Sequence, residues 1–178
     1  MKNILLIEGE SGSGKTTIAD ILSKKYGLSS IQSYTTRKPR YLEETGHTFI
    51  SKEEYMRIPA DTMIAKTEFD GNYYCATTDQ VEKNDVYVID PAGIEYFKKV
   101  YHGGKTVIVI YLTASEDERY RRMIGRQDSE DKAKARIDND RKAFANAENY
   151  ADYVYDTEAN SPETIADQLY IIWELGRR

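Results

Sequence analysis

Residues 4–22 read ILLIEGESGSGKTTIADIL. Ile4 to Ile7 is a short apolar run with the length of a buried strand, and from Ile18 onward apolar residues return at helical spacing. Between them GESGSGKT, Gly9 to Thr16, satisfies G-x-x-x-x-G-K-[ST] at every fixed position, in the strand-then-helix context the motif requires. So polar a loop has a physical use there. Glycines let a backbone wrap closely around phosphate oxygens, and amides at a helix N-terminus turn partial positive charge toward an anion. On this reading Gly9, Glu10, Ser11, Gly12, Ser13, Gly14, Lys15, Thr16 and Thr17 form a nucleotide-phosphate site. Lys15 reaches the β- and γ-phosphates, and the Thr16 hydroxyl ligates Mg²⁺.

The rest of the chain bounds what such a site serves. Its 178 residues suit one domain, residues 1–178, and a net charge of −5 gives no support to nucleic-acid or membrane-surface binding. The longest apolar run, Val107 to Leu112, is far short of the roughly 20 residues of a membrane helix, and no targeting segment is read at the N-terminus. Cys75 is the single cysteine, so no intrachain disulfide is expected and a reducing cytoplasm is the default compartment. His47 and His102 lack metal-like spacing, and no structural metal is assigned.

Ile4–Ile7, Val86–Ile89, Val107–Leu112 and Tyr153–Tyr155 read as strands, apolar on both faces as in a parallel sheet covered by helices. Helices are expected after Gly14, from Ser115 where SEDE has capping-box spacing, and from Ser161 where SPET puts Pro at the first helical position of a run to Leu175. This alternation predicts an α/β fold. From Ser33 to Thr78 short polar and aromatic pieces interrupt it, as in a small inserted subdomain.

A phosphate loop fits switch GTPases, ATP-driven machines and small kinases. DPAG at Asp90–Gly93 has the D-x-x-G spacing of GTPases, but no N-K-x-D follows, and machines need a larger chain. In TTRKPR, Arg37, Lys38 and Arg40 flank Pro39, so two guanidinium forks on a constrained loop can grip one phosphate. Arg119, Arg122 and Arg126 follow i, i+3, i+7 spacing on one helix, with Arg136 on the next, a face expected to close over phosphates.

In order and spacing, IEGESGSGKTT, SYTTRKPR, GHTFIS, EFDGNYY and VYVIDPAG resemble the guanylate kinase family of nucleoside monophosphate kinases, over most of the chain. The resemblance implies a three-layer P-loop NTPase fold with a mostly parallel sheet: a core (1–32, 79–118 and 143–178), a nucleotide-monophosphate-binding insertion (33–78) and a helical lid (about 119–142). It implies transfer of the ATP γ-phosphoryl group to GMP or dGMP with Mg²⁺, by a monomer or homodimer. By position, Arg37, Arg40, Tyr74 and His47 would hold the acceptor phosphate and Ser33 would touch the base. Asp90 would lie near the acceptor or reach Mg²⁺ through water, and Arg126 and Arg136 would be the lid arginines acting beside Lys15.

The family's guanine-reading Glu and Ser fall at Ala65 and Ala76 here. Methyl groups cannot pair with guanine N1–H and the exocyclic amine. Two alternatives stay open: Thr67 or Glu68 contacts the base, or the acceptor is another nucleotide or a phosphorylated sugar. A non-catalytic guanylate-kinase-like module is a third reading, against which the intact loop argues.

Overall fold

The computed structural model describes residues 2–39, 42, 44–69 and 71–176. β1 (Lys2–Gly9) is the hub of a four-stranded parallel sheet with β6 (Val86–Val88), β7 (Lys105–Thr113) and β8 (Tyr153–Asp156), in the order β6-β1-β7-β8. All four strands expected from the sequence are in it. β1 alternates its faces: Leu5 and Ile7 pack with Ile18 and Leu22 of α1 (Lys15–Tyr26) and with Ile165, Leu169 and Trp173 of α7 (Pro162–Leu175). Ile4 and Leu6 pack the other way, against Ile94 and Phe97 of α4 (Pro91–Val100). Each such side chain contributes about 1.5–3 kcal/mol by leaving water, which is why the strands read as unbroken apolar runs.

α7 is tied to β1 at both polar ends of one pair: Asn3 Nδ2 donates to the Trp173 carbonyl at 2.7 Å, and Trp173 Nε1 donates to the Asn3 carbonyl at 3.2 Å. Its start follows the sequence, with Ser161 Oγ accepting from Thr164 N and Pro162 at the first position. α5 (Glu116–Gly125) differs from the expected reciprocal box. Ser115 Oγ accepts from Glu118 N at 3.3 Å, but Glu118 turns to Arg121 and Arg122, and Glu158 takes the Ser115 N–H instead. α6 (Glu130–Ala143) pairs with α5 over a small apolar contact of Met123, Ala133 and Ile137.

A second sheet occupies the interruption. β2 (Ser33–Thr35) runs parallel to β3 (His47–Phe49) and antiparallel to β5 (Asn72–Thr77), which pairs with β4 (Met63–Phe69), giving the order β3-β2-β5-β4. Two short helices, α2 (Lys52–Met56) and α3 (Thr78–Lys83), follow β3 and β5. Ala65 lies opposite Ala76 in the β4–β5 register, and both join Ile89, Ile94 and Phe97 in the apolar layer under the parallel sheet. This contact seats the second sheet on the core.

Candidate active site

The phosphate loop leaves β1 through Gly9, where a Cβ would stand 2.4 Å from the Leu112 carbonyl oxygen. Ser13 N donates to the Glu10 carbonyl at 3.1 Å and closes the turn, and Gly14, at φ +93°, caps α1. Only glycine fits Gly12. Its φ is +84°, and a Cβ would come within 2.7 Å of the Arg119 carbonyl oxygen. Lys15 Nζ folds back to the carbonyls of Gly9 (2.5 Å) and Glu10 (3.0 Å). Burial pushes the Lys15 pKa down to about 8, against the opposing charge of Asp140. Thr16 and Thr17 are exposed on the first turn of α1, where a hydroxyl can meet a phosphate-bound cation.

On and beside the second sheet, several acceptor-side residues of the sequence reading come together. Arg37 grips both oxygens of the buried Glu44 carboxylate at 2.9 and 3.1 Å and lies over the Phe49 ring. Ser33 and His47, opposite each other on β2 and β3, are hydrogen-bonded at 2.9 Å, and the His47 ring meets Tyr74 edge-on. Arg40 lies outside the described residues. Asp90 ends the β6 segment as the N-cap of α4, accepting from Gly93 N at 2.7 Å and from Thr67 Oγ1 at 3.3 Å. That second bond joins the core to β4. Ala65 and Ala76 are 2% and 0% exposed, so neither offers a polar contact to a base. Glu68 is paired with Tyr73 and exposed, on the strand face opposite Thr67 and Tyr74, which removes it as a substitute reader.

The arginine row does not face the phosphates as a unit. Arg119 is 1% exposed and held between Glu10 (3.3 Å) and Asp140 (3.4 Å), so it is a buried strut and not a phosphate-facing group. Arg122 is spent on Glu118, the Gly12 carbonyl and Thr157. The i, i+3 spacing was legible, but the helix turns that face onto the loop. Arg126 and Arg136 both reach Asp128 Oδ2, at 3.0 and 3.7 Å, and Arg126 remains half exposed and close enough to Lys15 to depress its pKa.

Three comparisons bear on this arrangement. A family profile described as "AAA domain" matches residues 5–146, which contain the whole loop. A guanylate kinase of Fusobacterium nucleatum is 28% identical over 165 residues, covering 87% of this chain and 88% of that protein. One from Agrobacterium fabrum is 32% identical over 165 residues, covering 85% and 72%. The chain belongs to the guanylate kinase family. The crystal structure of guanylate kinase from Anaplasma phagocytophilum superposes on it with a TM-score of 0.71 at 25% identity, covering 98% of this chain and 85% of that one.

Within this guanylate kinase fold, one acid escaped the sequence reading. Glu8 sits in β1 just before the loop, 0% exposed, with Oε2 accepting from Tyr150 Oη at 2.9 Å and no protein donor to Oε1 among the described residues. Burial, with Asp90 adding to it, raises the Glu8 pKa to about 7 despite the Tyr150 hydrogen bond. An acid at the end of an otherwise apolar strand was the available signal. Asp128, Glu44 and Asp140 gave none, because an arginine's partner carboxylate is set by tertiary placement.

Proposed function

We propose that this chain transfers the γ-phosphoryl group of ATP to a nucleoside monophosphate, with GMP or dGMP as the acceptor. The observation that supports the reading is the Thr67–Asp90 bond, which ties the sheet carrying Ser33, His47 and Tyr74, with Arg37 just beyond β2, to the end of β6 beside the strand that leads into the Gly9–Thr17 loop. Donor and acceptor groups so arranged turn a bimolecular transfer into one between held partners, and closing the lid would keep water from competing. Lys15 and the loop amides hold the donor phosphates. Arg37 and Arg40 aim the acceptor phosphate, with Tyr74 and His47 beside it, and Ser33 meets the base. Arg126 and Arg136 leave Asp128 and neutralise charge building on the transferred group, an arginine role worth about 10³ to 10⁵ in rate in related chemistry. In this reading residues 33–78 form the acceptor subdomain, about 119–142 the lid, and the remainder of 1–178 the core.

The loop fits a nucleotide triphosphate: at Gly14, which opens α1, the space a Cβ would enter is open, and the helix start is free of acidic side chains in its first turn. Mg²⁺ would be held by the Thr16 hydroxyl and, through water, by Asp90, and would supply charge neutralisation on the phosphate oxygens. The enzyme is proposed to act in the cytoplasm; among the described residues no helix is long and apolar enough to cross a membrane.

A second reading, the same chemistry on another nucleotide or a phosphorylated sugar, is favoured by the sealed Ala65–Ala76 pair. Coupled ADP release with GMP, dGMP, AMP, CMP, UMP, dTMP and ribose phosphates separates the two. GMP or dGMP stimulation supports the first, stimulation by another acceptor alone the second, and no stimulation by any acceptor defeats both.

A further inference from the structure

Asp140 lies on α6, one helical turn beyond Arg136, yet its carboxylate meets the phosphate loop. Asp140 Oδ2 accepts the backbone N–H of Ser11 at 2.6 Å and faces Arg119 Nη1 at 3.4 Å. Arg119 Nη2 meets Glu10 Oε1 at 3.3 Å, and the other Glu10 oxygen accepts from Tyr111 Oη at 3.3 Å. The backbone of Arg119 also forms the wall against which Gly12 packs, and Arg122 Nη1 donates to the Gly12 carbonyl at 3.2 Å. Residues 10, 11 and 12 are therefore each fixed from outside the loop, by α5, α6 and β7.

From this we infer that Asp140 is a positioning residue for the donor site: through Ser11 and the Glu10–Arg119–Asp140 clamp it holds the first half of the phosphate loop in its ATP-binding shape and ties that shape to the helix bearing Arg136. The physical need is plain. Residues 9–14 contain three glycines, and glycine loses more conformational freedom on ordering than any other residue. A loop already ordered before the ligand arrives spares that loss at binding. A buried guanidinium between two carboxylates is suited to the task, because breaking the set leaves a charge under-compensated in a poorly solvated place. The placement also gives α6, itself part of the proposed lid, two jobs on adjacent turns, Arg136 toward Asp128 and Asp140 toward the loop, so lid position and donor-loop order are mechanically joined.

This inference rests on the donor reading of Gly9–Thr17 and is tested on the intact chain by calorimetric titration with MgATP, without any acceptor, alongside steady-state KM values. Asp140→Ala should weaken ATP binding roughly tenfold and raise the KM for ATP by a similar factor, with the acceptor KM unchanged. Asp140→Asn, which keeps an oxygen for Ser11, should stay within about threefold of the wild type; equal loss in both variants would keep the clamp and locate its effect in the Arg119 pair. Arg119→Lys, which cannot fork between two carboxylates, should weaken ATP binding severalfold and serves if Asp140→Ala fails to fold. Unchanged ATP binding in the folded variants, with only a lowered melting temperature, overturns the inference. So does tighter binding in Asp140→Ala, which would make Asp140 a competitor of the phosphate. A wild type that binds no ATP overturns the donor reading and this inference with it; a wild type that binds while the variants match it overturns this inference alone.

Discussion

Glu8→Gln isolates the energetic consequence of placing an acid beneath the phosphate loop. In the folded protein the Glu8 carboxyl holds its proton up to about pH 7, against an ordinary value of 4.5, with burial as the main cause. The folded state therefore binds more protons than the unfolded chain between pH 4.5 and about 7, and this group's contribution to stability falls as pH rises through that window. Ionising it in place costs about 3–4 kcal/mol at most, and about 1–2 kcal/mol once relaxation of the surroundings toward the buried carboxylate is allowed for. Glutamine keeps an acceptor for Tyr150 and cannot ionise. Urea unfolding at pH 5 should give nearly equal stabilities for the two proteins, whereas at pH 8 Glu8→Gln should be more stable by that 1–2 kcal/mol. Parallel stability curves from pH 5 to pH 8, or a less stable variant at pH 8, would refute the argument that the buried carboxyl is neutral.

Lys15→Ala should abolish turnover. In the wild type kcat/KM for ATP should decline as pH rises past about 8, because the free protein's Lys15 titrates there; a flat profile to pH 10 would contradict the depressed lysine. Arg37→Ala should raise the acceptor KM roughly 10- to 100-fold with a smaller effect on kcat, as expected for losing one or two charge-assisted hydrogen bonds, and should lower the melting temperature because Glu44 loses its fork. Gly12→Ala places a side chain at φ +84° against the Arg119 carbonyl, so it should cost about 1–2 kcal/mol in unfolding free energy and eliminate measurable ATP binding; a variant that binds ATP normally would show the loop wall to be soft.

The parallel strands were legible because each is apolar on both faces, and the loop because no other chemistry needs its spacing. Ser161 and Pro162 announced α7 for local reasons, through a hydroxyl and a fixed φ. The acceptor sheet resisted reading. β2 and β3 have three residues each, too few to display a period, and β4 slips register between Met63 and Ala65, which turns both Ile64 and Ala65 inward. Arg119 shows the other limit. Its spacing with Arg122 and Arg126 is that of a solvated helix face, and only the approach of Glu10 and Asp140 from distant elements turns it into buried structure. The family resemblance gave Ser33 to the base and His47 to the acceptor phosphate, but no local pattern joined the two, since they lie fourteen positions apart and are brought together by strand register.

The Ala65–Ala76 pair has a bearing on how acceptor preference can change. These two methyl groups fill a seam between sheets, so a glutamate introduced at 65 would enter an apolar layer with no partner and be penalised by several kcal/mol before it touched any ligand. Base preference at this point is a property of how two sheets are glued together. A laboratory or evolutionary route to a different acceptor would therefore have to loosen Ile89, Ile94 or Phe97 first, and single-residue grafts at 65 or 76 should read out as misfolding and not as altered specificity.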